Sequence, residues 1–176
     1  MRFRRTLCQR LGENRGAAAL WGAMAAVVLA LSAAAVLDVY QLSITRNWAY
    51  QIASEAALRG VSWGRDFASV AENGGMRLDE TTAIEEATSA VEAALAERGV
   101  ARYLLDVRAL PEGGTETGFP PVSRAIQSGK TDWSSTEPAI GVYLELAVPV
   151  AFFGLVSGTH SVPVHAFAAA ALAEAR

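Results

Sequence analysis

Polar positions vanish from one stretch near the start of the chain and then return on one side only. From Gly16 to Leu37 (GAAALWGAMAAVVLALSAAAVL), 22 consecutive positions carry no charge and a single hydroxyl, that of Ser32. At roughly 1.5 Å per residue a helix of this length covers about 30 Å, the hydrocarbon thickness of a bilayer. The pattern therefore predicts a membrane-spanning helix over 16–37. Alanine fills 10 of the 19 positions from Ala17 to Ala35, so Leu20, Trp21, Met24, Val27, Val28, Leu29, Leu31, Val36 and Leu37 must supply most of the transfer free energy. Past Asp38 the periodicity stays helical, with Val36, Tyr40, Ile44, Trp48, Ile52 and Ala56 at every fourth position and no glycine or proline before Gly60. This predicts a second helical stretch, 38–59, continuous with the first and carrying an apolar stripe that packs on a domain.

Further along, Val61 to Arg77 reads as a loop with Glu72-Asn73-Gly74-Gly75 as its turn signal. A helix over 80–98 follows. Thr82-x-x-Glu85 reads as its capping box, Ile84, Ala87, Val91, Ala94 and Leu95 form its apolar face, and Gly99 is its stop. Glu85, Glu86, Glu92 and Glu97 fall on the opposite face and read as a solvated helix surface. The period then becomes two. Tyr103, Leu105, Val107 and Ala109 alternate with Leu104, Asp106, Arg108 and Leu110, a strand near 101–110. Thr115 to Pro138 is rich in Gly, Ser, Thr and Pro and reads as an exposed excursion with a helical turn near Val122 to Gln127. Strands near 140–153 and 160–171 complete the pattern, with the hairpin between them as the expected pairing. The fold class predicted is α+β: a long N-terminal transmembrane helix continuing into a small domain with a second helix and about three antiparallel strands.

Charge sets the orientation. Arg2, Arg4, Arg5, Arg10 and Arg15 precede the apolar run against one acid, Glu13. The positive-inside rule puts this leader, 1–15, in the cytoplasm and residues 38–176 outside the cell (inner) membrane. From Asp38 onward the chain has 10 basic and 17 acidic side chains, a net charge of −7. No basic stripe is available for phosphates, which argues against nucleic acid as a partner. The single cysteine, Cys8, falls in the leader, so the outer domain has no disulfide and must fold on its own core. A secretory signal is the main rival to a retained helix, because Ala33-Ala34-Ala35 satisfies a small-x-small cleavage rule. The length of the run, the length of the basic leader and the unbroken helical pattern beyond Asp38 all favour retention.

Several local strings resemble the TadE-like family of pilus-assembly proteins, minor pilin or pseudopilin components of Flp/Tad type IV pili. Arg15-Gly16-Ala17-Ala18-Ala19-Leu20 is similar to the family's start, a basic leader ending in glycine. Val36-Leu37-Asp38-Val39-Tyr40 resembles its aspartate-and-aromatic exit from the membrane, and Ala49 to Gly60 its alanine-rich helix ending. Val148-Pro149-Val150 is of the same type. The resemblance implies a single-pass structural or assembly subunit, pilin-like membrane partners, and a prepilin peptidase that cuts between Gly16 and Ala17. The family commonly has a glutamate and an aromatic at the fifth and sixth positions after the leader glycine. Here those positions are Trp21 and Gly22, so a carboxylate able to pair with a neighbour's N-terminal amine is missing. A platform that stays in the membrane and a subunit that enters a filament are both compatible with this pattern.

For helix association, Ala18, Gly22, Ala26, Ala30 and Ala34 form a small-x-x-x-small series that would let a partner helix approach closely. Other chemistry finds no support. His160 and His165 lack a third ligand at metal spacing, no nucleophile elbow accompanies the serines, and Gly113-Gly114 lacks the lysine of a phosphate loop. The expectation is no enzyme activity, no cofactor, no metal and no small-molecule substrate. The competing reading is an anchored or secreted binding domain that captures a ligand through Phe152-Phe153 and the 115–138 loop. Trp48, Trp63 and Trp133 are expected in core or interface packing.

Overall fold

The computed structural model describes residues 3–68, 75–121 and 132–172, with side chains from Gly16 onward. The helical pattern on either side of Asp38 is one element, α1, Phe3–Trp63, 61 residues long. It starts inside the basic leader and passes Gly60, the expected stop, by three residues. Gly60 does not end the helix because it serves packing instead. A Cβ there would lie 2.7 Å from the Ala83 carbonyl oxygen and 2.7 Å from Ile140 Cδ1.

The chain divides into two units, Met1–Gln41 with Pro149–His160, and Leu42–Val148 with Ser161–Arg176. In the second unit, β1 (Arg65–Asp66) pairs antiparallel with β2 (Arg77–Leu78), and α2 (Glu80–Glu97) follows. Asp79 caps α2, three residues before the expected box. Its Oδ1 accepts from the backbone N–H of Thr81 and Thr82, and its Oδ2 from the Thr82 hydroxyl. Thr82 is therefore the partner of the cap rather than the cap itself. At the other end Gly99 takes φ +66°, and the N–H groups of Gly99 and Val100 reach back to Ala96 and Leu95, closing the helix as its glycine stop implied.

Three strands build the main sheet: β3 (Tyr103–Leu110), β6 (Ala139–Pro149) and β7 (Ser161–Ala171), in the order β3-β6-β7. β3 and β6 are antiparallel, with Tyr103 opposite Leu146 and Leu110 opposite Ala139. The hydrogen bond from Leu172 N–H to the Pro138 carbonyl places the end of β7 beside the start of β6, the antiparallel sense of the expected hairpin. Strand alternation gives each face its own residues. Ile140, Val142, Leu144 and Leu146 of β6 and Ala166 and Ala168 of β7 share one buried cluster with Ala49, Ile52, Ala53, Ala56, Ala57 and Val61 of α1 and Ala83, Ala87, Val91 and Leu95 of α2. Two helices thus cover one face of a three-stranded sheet.

The other face holds a smaller cluster of Leu110, Phe119, Trp133, Ala139 and Tyr143, with Phe167 against it. Here the expected exposed excursion is corrected at both ends. β4 (Gly114–Glu116) and β5 (Trp133–Ser135) form an antiparallel ribbon. Phe119 and Trp133 are buried and meet Phe167 edge to face at 5.5 and 6.2 Å. Gly141 makes room for them, since a Cβ there would lie 2.8 Å from the Phe119 ring. The turn expected near Val122 to Gln127 lies outside the described residues.

Two further expectations are corrected. The α1 stripe packs only in its second half, because Val36, Tyr40 and Ile44 are exposed while Ile52 and Ala56 are buried. Trp63 is exposed and so outside the core, whereas Trp133 is buried as expected and Trp48 is half-buried with the Arg98 guanidinium 4.3 Å from its ring.

Candidate functional site: an uncovered apolar helix and its Asp38 boundary

α1 is long and apolar enough over its first part to cross a membrane, and none of its most apolar window is buried inside the protein. Leu20, Trp21, Met24, Val27, Val28, Leu29, Val36 and Leu37 are all exposed, Trp21 and Leu29 at 70%. So large a continuous apolar surface on a helix calls for a cover that the described residues do not supply.

Within that surface the candidate site residues can be placed. Gly16 and Ala17 lie inside the regular helix, and both are exposed. Ala18, Gly22, Ala26 and Ala30 are exposed along one ridge, and Ala34 is partly covered. A Cβ added at Gly16 or Gly22 would meet nothing within 4 Å. These glycines differ from Gly60 and from Gly64, where an added Cβ would lie 2.5 Å from Ala83 Cβ. Glycine inside a helix costs about 1 kcal/mol relative to alanine. At Gly60, close contact with α2 accounts for the choice; at Gly16 and Gly22 nothing among the described residues does.

The apolar stretch ends at Asp38, which is 3% exposed and was legible in the sequence only as the first charge after the run. Its carboxylate accepts three backbone hydrogen bonds, from Ala151 N–H to Oδ1 at 3.0 Å and from Phe152 and Phe153 N–H to Oδ2 at 2.7 and 3.0 Å. These donors open α3, Phe152–Ser157, in a segment expected to be the end of a strand. Orphan N–H groups at a helix start are what a carboxylate satisfies best. The bonds from Ala151 and Phe153 hold the Asp38 carboxyl below its ordinary pKa, against the opposing effect of burial. Sequence reading missed this contact because its partners are more than a hundred residues apart. The only local signal is a charge set directly beside an uncharged run.

On the second unit, the side of the sheet away from the helices carries a polar group. Tyr143 donates its hydroxyl hydrogen to Glu145 Oε2 at 3.1 Å, and its oxygen lies 2.8 Å from His165 Nδ1. Burial first, then the hydrogen bond and charge of Glu145, push the Tyr143 phenol well above its ordinary pKa. The trio ties β6 to β7. Beside it Arg108 is clasped by Asp106 and Glu116. An open groove of about 460 Å³ is lined by Trp63, Arg65, Asp66, Arg77, Leu78, Asp79 and Thr82. Asp79 and Thr82 are engaged in the α2 cap, and Arg77 pairs with Glu112 at 2.7 Å. Among the described residues, no three His, Cys, Asp or Glu side chains gather in a metal-holding group.

No protein-family model, curated protein or solved structure matches the chain.

Proposed function

We propose that this chain is a single-pass membrane component of a Tad/Flp-type pilus or a related secretion apparatus, a TadE-like minor pilin or pseudopilin acting as a structural or assembly subunit. The observation that carries the reading is the uncovered apolar stretch of α1 with its unexplained glycines. Lipid covers most of that surface, and a partner helix covers the ridge of Ala18, Gly22, Ala26, Ala30 and Ala34, where small side chains let two backbones approach. Exposed aromatics support the span. Trp21 and Tyr40 are 19 helical steps apart, roughly 28 Å, which suits the two interfaces of a bilayer. The five leader arginines put the N-terminus in the cytoplasm and the α+β domain outside. With Trp21 where the family commonly has a carboxylate, association rests on packing rather than on a buried ion pair.

The test exchanges the order of the residues from Ala17 to Ala35 among themselves, which preserves hydropathy and destroys the ridge. The expected outcome is a chain that still inserts but no longer co-purifies with pilin-like subunits or supports pilus assembly. Full activity after the exchange would overturn the assembly role. Sequencing the N-terminus of the mature protein separates the remaining forms: Ala17 for prepilin processing, Met1 for a permanent platform, and a start after Ala35 for a secreted domain.

A further inference from the structure

The short helix α3 is the feature that an assembly role leaves unused. Leu155 and Val156 are 73% and 71% exposed, the two most exposed aliphatic side chains among the large hydrophobic residues described. Phe152 and Phe153 stand beside them, edge to face at 5.8 Å. From Leu146 to Thr159 the sequence contains no Asp, Glu, Lys or Arg. An outer domain with a net charge of −7 thus keeps one uncharged segment whose Leu155 and Val156 face outward, while Phe152 and Phe153 are half-buried.

Three hydrogen bonds fix where that segment lies. Asp38 directly follows Leu37, the last residue of the apolar run, and its carboxylate holds the N–H groups of Ala151, Phe152 and Phe153. The first turn of α3 is therefore tied to the outer end of the span. Several of the turn's polar groups are also satisfied within it. Its starting N–H groups are taken by Asp38, and the Val150 N–H is bonded to the His160 carbonyl. Ser157 donates to the Phe153 carbonyl, and the Thr159 hydroxyl meets Ser157. Gly158, at φ +72°, ends the helix with its N–H on the Gly154 carbonyl. Gly154 is required there because a Cβ would lie 2.8 Å from the Thr159 carbonyl oxygen. Polar groups satisfied internally are the condition for backbone to enter the apolar edge of a bilayer.

We infer that α3 is a membrane-interface element: Leu155, Val156 and the neighbouring phenylalanines insert into the headgroup and upper acyl region of the outer leaflet, held at that depth by Asp38. The occupant of this apolar surface is lipid. The inference rests on α1 spanning the membrane, and the experiment separates the two.

The full chain with Cys8→Ser is reconstituted, at high lipid-to-protein ratio, in vesicles of phosphatidylcholine and phosphatidylglycerol. Single cysteines are placed in turn at Leu155, Val156, Leu29 and Ser134, and each is labelled with an environment-sensitive fluorophore. Lipids carry a quencher either near the headgroup or deep in the acyl chain. The expected result is that labels at Leu155 and Val156 lose most of their emission to the shallow quencher, the label at Leu29 loses most to the deep one, and the label at Ser134 loses none. Asp38→Ala should then lower the shallow quenching at Leu155 while leaving Leu29 unchanged. If Leu29 is quenched and Leu155 and Val156 are not, the span stands and the interfacial role of α3 is wrong. A blue-shifted but unquenched label at Leu155 means that protein covers the surface, which also overturns the inference. Absence of quenching at Leu29 removes the span itself, and the inference with it.

Discussion

Asp38 does at one position what a loop does elsewhere: it ends the apolar run and supplies acceptors for three backbone donors. Its charged form is the one the structure stabilises, so its folded-state pKa is lowered from the ordinary value of 3.8. The sign of the pH dependence follows. The contribution is complete above the unfolded pKa of about 4 and is lost as pH falls through the lowered folded value. Amide protection factors at Ala151, Phe152 and Phe153 should therefore hold from neutral pH down to about 4 and fall only in stronger acid. Loss of protection near neutral pH would show that something other than this carboxylate holds α3. Asp38→Asn keeps an oxygen acceptor without the charge and should retain part of the protection at neutral pH, whereas Asp38→Ala should retain none.

At the scale of elements, α1 uses small residues in two different ways. Gly60, with Gly64 just past the helix end, lets it approach Ala83 of α2 more closely than any side chain would allow. Gly60→Ala gains about 1 kcal/mol of helix propensity but forces an overpacked contact costing roughly 1–3 kcal/mol, so a net loss is expected in chemical denaturation. Gly22→Ala meets no such obstacle. It should leave the unfolding of the domain unchanged, and a defect in assembly from this substitution would be intermolecular. Such differences also explain what sequence could and could not deliver. The continuous helix and the strand alternation of β3, β6 and β7 were legible because each depends on local periodicity. The cap of α2 was misplaced by three residues because Asp79 and Thr82 are both good capping residues and only the backbone geometry chooses between them. Trp133 was expected to pack and does, but β4, β5 and the partnership of Trp133 with Phe119 and Phe167 were illegible because a Gly-, Ser- and Pro-rich stretch gives no periodic signal. Its buried rings find one another across the sheet rather than along the chain.

For the whole molecule, the decisive fact is where the core is drawn from. The buried cluster that joins helices to sheet runs from Ala49 to Leu172 and takes no side chain from the apolar part of α1. The candidate membrane site and the fold are therefore carried by different stretches of one helix. This explains why hydropathy located the site so readily while saying little about how the domain is built. A chain beginning at Leu42 should keep its core and unfold cooperatively in urea, as measured by circular dichroism and tryptophan fluorescence together, but should no longer partition with membranes. A chain beginning at Gly60 should fail to fold, because it removes Ala49, Ile52, Ala53, Ala56 and Ala57, each buried against α2 or the sheet. Replacing several buried apolar contacts by solvent costs more than the roughly 5–15 kcal/mol that holds a typical domain together. If the chain beginning at Leu42 were unfolded instead, the apolar stretch would have a structural role in the domain as well as its proposed one in the bilayer.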